Sequence, residues 1–269
     1  MQMLHEYLMN SLCLVWDIHA TMRRVVSRVS SLSISLIQTN YNKHTTTGDW
    51  GSIIVQCMAR LFPERCEGIH ITMPIPSSSK FDQADLQKLK SFEISSLQRT
   101  AQFRQLGTGY QYIQQTCPQT LSFGLSDSPV GLLGWIVEKF KAWSDCEGDD
   151  IERVFTMDEL ITNVMLYWIT NTIGSSIRLY FETFAVMPDT DKETLKLMRT
   201  PVPVPTAIAM FPREIYQLPR VLCKKTYPKL LRYVRFKSGG HFAPMECPDV
   251  FVDDLVDFFV NTLCQWSKL

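Results

Sequence analysis

Thr47-Gly48-Asp49-Trp50-Gly51-Ser52 is the stretch of this sequence on which the fold depends. An apolar helical run, residues 53–62, follows it at once. A tight turn between a strand and a helix holds one side chain outward, where it can attack a substrate. Glycines on both sides of Asp49 suit such a turn, whereas Thr47 is a less suitable neighbour. The stretch predicts a nucleophilic Asp49, although a solvated Asp that merely opens a helix explains the same residues.

Composition excludes several classes of protein. The chain has 269 residues, and its 45% hydrophobic content is ample for a packed core. Basic and acidic residues balance at 27 each, which argues against a nucleic-acid partner. The eight cysteines include no C-x-x-C pair, so neither a zinc site nor a disulfide framework is expected. No run of 18 apolar residues occurs, so no transmembrane helix is predicted.

Four segments are predicted along the chain. They are an atypical N-terminal segment over residues 1–47, a core segment with the sharp turn over 48–79, a helical insertion over 80–190, and a second core segment over 191–269. Strands are expected at 68–73, 202–209 and 230–236, and a final helix from Pro248. His70 alternates with two isoleucines and is expected to face a polar edge of the sheet rather than to act as a base.

The residues just before the turn conflict with this scheme. Asn40-Tyr41-Asn42-Lys43-His44 is polar, whereas a strand in the middle of a buried parallel sheet should be apolar. We therefore expect this segment to be a poor central strand.

Three chemically suggestive side chains follow one another in the order Asp49, Glu214, His241, each just after a predicted strand. Nucleophile, acid and base occur in this order in the α/β-hydrolase fold. A carboxylate can open a strained ring by forming an ester, and a histidine oriented by a carboxylate can then activate water. Taken singly, Glu214 could be a solvated loop carboxylate and His241 a turn residue.

Together the motifs resemble those of the microsomal epoxide hydrolases, from Gly48 to the C-terminus. They are Gly48-Asp49-Trp50-Gly51-Ser52, Asp127-Ser128-Pro129-Val130-Gly131-Leu132 with Glu138-Lys139-Phe140, Asn163-Val164-Met165-Leu166-Tyr167-Trp168, Phe211-Pro212-Arg213-Glu214, and Gly239-Gly240-His241-Phe242-Ala243. The resemblance implies an α/β fold: an α/β-hydrolase core with an inserted helical cap. It also implies conversion of small apolar epoxides and water into vicinal diols, without a metal or organic cofactor.

The resemblance also implies residue roles. Asp49 matches the nucleophile, Glu214 the charge-relay acid and His241 the base. The backbone N–H of Trp50 matches a donor to the oxyanion that forms during ester hydrolysis.

Two cap tyrosines match the residues that protonate the epoxide oxygen. Tyr110 stands in a Gly-Tyr pair, and Tyr180 in Ser-Ser-x-Arg-x-Tyr. Tyr112 competes with Tyr110 for the first role. A buried aromatic ring with a satisfied hydroxyl is the alternative for both.

The chain departs from the family before the turn. The family's His-Gly-x-Pro oxyanion turn and four core strands are not recognisable in residues 1–47, and Thr47 replaces a glycine. We therefore expect an N-terminally truncated chain. An impaired remnant that only binds ligands, or a haloalkane dehalogenase, remains the alternative. The resemblance implies the endoplasmic reticulum membrane, but without an anchor we expect peripheral membrane association or a cytoplasmic protein.

Overall fold

A computed structural model describes residues 44–77, 81–146, 150–185 and 192–266. The described strands form one parallel sheet in the order β1-β2-β3-β4. The strands are β1 His44–Thr47, β2 Gly68–Ile71, β3 Thr206–Met210 and β4 Leu230–Arg235. The prediction for residues 1–47 falls largely on residues 1–43, which lie outside the described residues.

The helices follow in chain order. They are α1 Asp49–Leu61, α2 Gln83–Leu86, α3 Ser91–Leu106, α4 Gly109–Thr116, α5 Pro118–Asp127, α6 Pro129–Trp143, α7 Met157–Thr170, α8 Ile173–Tyr180, α9 Lys192–Arg199, α10 Arg220–Cys223, α11 Ala243–Glu246, α12 Pro248–Val256 and α13 Leu263–Trp266. Short 3-10 turns occur at Pro63–Arg65 and Ile151–Arg153, and π-helical turns at Phe181–Ala185 and Asp257–Thr262.

Local sequence explains where several elements begin. Thr156 and Glu159 form a reciprocal capping box at the start of α7. Strand β3 begins only at Thr206, later than the predicted residue 202, because Pro203 and Pro205 lack the N–H that a strand needs. Tyr110 lies in the first turn of α4.

Two compact units divide the described residues. Residues 44–77, 81–105, 143–146, 150 and 193–266 form the sheet unit, and residues 106–142 and 151–185 belong to the helical unit. The sequence analysis begins the helical cap at residue 80. In the structure, α2 and most of α3 instead belong to the sheet unit. The reason is apolar contact, since Leu86 and Leu97 pack on the sheet core.

Each unit has its own apolar core. In the sheet unit, Val55 and Ala59 of α1 pack in one cluster with Ile69, Ile71 and Ile208 of the sheet. In the helical unit, the cluster contains residues of the four helices α5, α6, α7 and α8. They are Leu125, Leu132, Val164, Ile173 and Ile177.

Strand β1 begins at His44, the one residue of the polar segment 40–44 that lies among the described residues. Strand β1 pairs in parallel with β2 and is the outermost strand among the described residues, half buried rather than enclosed. Its polarity is accommodated because the hydroxyl of Thr46 hydrogen-bonds Nδ1 of His70 at 3.0 Å. Because this hydroxyl has a hydrogen-bond partner, a polar side chain is tolerated at position 46 of β1.

His70 does not face a polar edge, contrary to the expectation. Its side chain is fully buried on β2, and Nε2 lies 2.9 Å from Oδ2 of Asp254. Arg232 of β4 binds the other carboxylate oxygen, with Nη2 at 2.7 Å from Oδ1. The buried carboxylate therefore ties α12 to two strands.

Asp254→Asn is expected to destabilise the protein by about 3–5 kcal/mol, because the change leaves His70 and Arg232 without their buried anion. Burial opposes ionisation of Asp254, but the hydrogen bond and charge of His70, together with Arg232, hold its pKa below the usual value. Its contribution to stability is thus present above the unfolded pKa of about 3.9 and is lost as the pH falls through the lower folded pKa. Urea unfolding at several pH values measures this. The exposed Asp253→Asn is the matched control, and an equal loss in both variants would contradict the assignment.

Candidate active site

The candidate nucleophile stands on a strained turn. Strand β1 ends at Thr47, Gly48 is extended, and Asp49 opens α1 with a φ of +45°. A non-glycine residue rarely adopts this left-handed conformation, and such strain is typical of functional sites. The amide of Ser52 closes the turn by donating to the carbonyl of Gly48 at 3.0 Å. The turn holds the Asp49 side chain half exposed, at 50%.

Close packing explains both glycines of the turn. A Cβ on Gly48 would lie 2.6 Å from Oγ1 of Thr72. A Cβ on Gly51 would lie only 1.8 Å from Oγ1 of Thr47. Thr47 is therefore compatible with the turn because residue 51 has no side chain.

The candidate acid, Glu214, is completely buried in the loop after β3. Its Oε1 accepts the amide N–H of Ile215 at 2.8 Å and lies 2.7 Å from Nδ1 of His241. Its Oε2 has no hydrogen-bond partner among the described residues. Both fixed contacts converge on Oε1, which orients the carboxylate toward the imidazole.

The candidate base, His241, lies between the two carboxylates. Its Nδ1 faces Glu214, and its Nε2 lies 3.9 Å from Oδ1 of Asp49. With Nδ1–H donated to Glu214, the second nitrogen is the one directed at the nucleophile. The structure thus brings Asp49, Glu214 and His241 together.

The neighbouring carboxylates raise the pKa of the candidate base. Burial has the largest single effect and lowers the pKa of His241. The charge and hydrogen bond of Glu214, together with the charges of Asp49 and Glu246, outweigh burial, so the pKa rises to about 9. Partial burial of the Asp49 carboxyl raises its pKa, while the charge of His241 lowers it. The carboxylates therefore favour the protonated form of the imidazole.

The backbone N–H of Trp50 is directed at the same place. It donates to the Asp49 carboxylate and thereby lowers the pKa of that group. An amide that binds the carboxylate oxygen is also placed to bind an oxyanion formed from it.

The candidate proton donors Tyr110 and Tyr180 meet within the helical unit. Their ring centroids are 5.7 Å apart at an interplanar angle of 77°. Nε2 of Gln111 donates to the Tyr110 hydroxyl at 2.9 Å, and the Lys139 ammonium lies 5.1 Å from the centre of the same ring. Tyr112, the competitor, is 62% exposed.

Sequence reasoning missed the aromatic neighbour of the base. The Trp143 ring meets the His241 ring edge to face, with centroids 5.2 Å apart. Position 143 is the last residue of an apolar helix, and nothing in its sequence pattern separates it from a core residue.

Neither a metal site nor a membrane span is found in the part of the chain that the structure describes. Within those residues, no group of three or more His, Cys, Asp or Glu side chains could ligate a metal. The helices there are too short or too polar to cross a bilayer.

Comparison with known proteins finds relatives that are named as epoxide hydrolases. A putative epoxide hydrolase from Stigmatella aurantiaca is 35% identical over 212 residues, which are 79% of this chain and 45% of that protein. Epoxide hydrolase 1 from Sus scrofa is 36% identical over 228 residues, which are 78% of this chain and 49% of that protein. The juvenile hormone epoxide hydrolase of the silkworm Bombyx mori superposes with a TM-score of 0.75 at 30% identity, covering 87% of this chain and 58% of that chain.

The chain is homologous to the epoxide hydrolases over most of its own length. The epoxide hydrolase structure from Aspergillus niger, with a TM-score of 0.71 at 24% identity, supports the α/β-hydrolase fold. The predicted family and fold class are thus confirmed. No family model matches the chain. This epoxide hydrolase homologue spans about half the length of the curated relatives it matches.

Proposed function

We propose that this chain hydrolyses epoxides to vicinal diols through a covalent ester on Asp49. One observation carries the proposal: His241 lies between a buried Glu214 and a strained, half-exposed Asp49. A carboxylate nucleophile suits a strained ring, whose opening needs no separate activation of the nucleophile.

Ring opening is the first step. One oxygen of Asp49 attacks a ring carbon, the carbon–oxygen bond of the epoxide breaks, and its electron pair stays on the epoxide oxygen. Tyr110 or Tyr180 donates a proton to that oxygen. The product is a hydroxyalkyl ester, and the Asp49 charge is gone.

Loss of that charge prepares the second step. Asp49 is one of the groups that raise the pKa of His241, so ester formation lowers this pKa. The imidazolium can then release its proton to solvent, and the neutral imidazole is the form that can accept a proton from water.

Hydrolysis of the ester completes the reaction. Nε2 of His241 takes a proton from water, and the hydroxide attacks the carbonyl carbon of the ester. The Trp50 N–H stabilises the oxyanion, and Glu214 stabilises the imidazolium. The imidazolium returns its proton to the leaving oxygen of the diol. The proton that the attacking hydroxide leaves on the Asp49 carboxyl is released and restores the tyrosine, so the Asp49 carboxylate is regenerated.

The proposed substrates are small apolar epoxides, with water as second reactant. Relatives carry the names epoxide hydrolase and juvenile hormone epoxide hydrolase, which support this substrate class. By the same resemblance, we propose a role in detoxification and peripheral association with the endoplasmic reticulum membrane. Cell fractionation tests the location, and recovery of the chain away from that membrane would contradict it.

Two other functions compete with this proposal. A haloalkane dehalogenase would also use an Asp followed by a Trp, but the paired tyrosines favour protonation of an oxygen over binding of a halide. A remnant that only binds ligands would not need the contacts among Asp49, Glu214 and His241, so their presence argues against it.

Isotope labelling tests the covalent step. In a single turnover with excess protein in ¹⁸O-labelled water, the diol is expected to contain no ¹⁸O, because its new oxygen comes from Asp49. The label should appear in the Asp49 peptide, read by mass spectrometry after digestion. Asp49→Ala is expected to form neither adduct nor diol.

Other outcomes point elsewhere. A diol labelled in the first turnover would show direct attack by water and overturn the ester. Neither adduct nor diol, from a chain that circular dichroism shows to be folded, would favour the remnant. Halide release from a haloalkane, without diol from an epoxide, would favour the dehalogenase.

A further inference from the structure

The base stands in a loop whose backbone amides are all held from outside the loop. From Gly239 to Phe242, the four consecutive N–H groups donate to three neighbours. Gly239 N–H binds Oδ2 of Asp145 at 2.9 Å, and His241 N–H binds the carbonyl of Trp143 at 2.9 Å. Gly240 N–H also donates to Glu246.

Glu246 closes the remaining contacts. Its Oε1 accepts the N–H of Phe242 at 3.0 Å, and its Oε2 accepts the N–H of Asp145 at 2.7 Å. Both oxygens are therefore acceptors for backbone donors. An amide in place of this carboxylate would direct an NH₂ group at one of those donors.

Asp145 joins the base loop to the acid loop. While Oδ2 binds Gly239, Oδ1 accepts from Nε of Arg213 at 3.2 Å. Arg213 directly precedes Glu214, and its own N–H donates to the carbonyl of Gly239 at 3.1 Å. One carboxylate thus ties the segment before Glu214 to the segment before His241.

Close packing around Gly239 and Gly240 also restricts this loop. A Cβ on Gly240 would lie 2.4 Å from the carbonyl oxygen of Trp143, and Gly239 has a φ of +99°. The loop therefore approaches residues 143–145 more closely than any side chain allows. Neither carboxylate touches the reacting atoms of Asp49.

We propose that Asp145 and Glu246 are positioning residues, which fix the loop Gly239–Phe242 so that Nε2 of His241 stays directed at Asp49. The inference rests on the proposed function, because it assigns these residues to the step that His241 performs. Their removal should slow ester hydrolysis and leave ring opening by Asp49 unchanged.

Glu246→Gln and Asp145→Asn test this, with Asp82→Asn as matched control. Asp82 pairs with Lys225 at 2.7 Å in the same unit, and both side chains are exposed. Rapid mixing with styrene oxide, followed by mass spectrometry, gives the rates of ester formation and decay separately. We expect ester decay to fall about 10- to 100-fold in the two test variants, as for an approximately 1 Å misplacement, with ester formation within about twofold of the parent. Asp82→Asn should change neither rate.

A second measurement does not depend on turnover. Amide hydrogen exchange of Gly240 and Phe242, and the NMR signal of the Nδ1 proton of His241, report the loop directly. In Glu246→Gln the two amides should exchange faster and the signal of the Nδ1 proton should shift. Asp82→Asn should leave both unchanged. Unaltered exchange and unaltered ester decay, or equal slowing of both chemical steps, would overturn the proposal. A parent that forms neither ester nor diol would instead refute the proposed function, and the exchange data would still decide whether the carboxylates hold the loop.

Discussion

His241→Gln is expected to stop diol release while ring opening continues, so that the protein accumulates as an ester on Asp49. The glutamine amide can still donate to Glu214, but it cannot take a proton from water. We expect turnover to fall on the order of 10⁴-fold, as for loss of a triad member. Intact-protein mass spectrometry should show the mass of the parent plus one substrate, and peptide mapping should place the addition on Asp49.

His44→Gln is the matched control for this variant. His44 lies in the same unit and forms an exposed pair with Glu67 at 3.2 Å. Its replacement should leave turnover unchanged. Diol release by His241→Gln at the parent rate would remove His241 from the mechanism. Failure of this variant to form an ester that the parent does form would contradict the two-step assignment.

Tyr110→Phe combined with Tyr180→Phe is expected to slow ring opening about 10²- to 10⁴-fold, the usual contribution of a positioned general acid. The two rings meet edge to face, so removing only the hydroxyls preserves their packing. Made in the His241→Gln background, where the ester persists, the change is read as the rate of ester formation in a single turnover.

Tyr112→Phe serves as the control, because its side chain is largely exposed and the sequence leaves it as the competitor. We expect no change in the rate of ester formation. A large fall in this variant, with none in the double variant, would move the proton donor to Tyr112. Equal rates in all variants would show that water protonates the epoxide oxygen.

Sequence predicts the parts of this molecule that depend on local pattern. The turn at Asp49 follows from two glycines between a strand and an apolar helix, and the positions of Glu214 and His241 after strands follow from chain order. The structure brings these three side chains together, while their roles stay predictions. The family and the fold class are confirmed.

Long-range partners explain what sequence could not predict. His70 looked like a residue at a polar edge, because nothing near it in sequence reveals Asp254, 184 residues away. Strand β1 contains three threonines, and the partner of the Thr46 hydroxyl, His70, lies on β2. Asp145 has no local signal at all, since its contacts are with Arg213 and Gly239.

The close approach of Thr47 and position 51 constrains how this turn can vary among related sequences. With a threonine at 47, any side chain at 51 collides with its hydroxyl. With a glycine at 47, that particular collision disappears. The two positions are therefore coupled: a side chain at 51 requires the Thr47 side chain to move or to be replaced. We expect a substitution at 51 to be tolerated better when it follows a change of Thr47 to glycine.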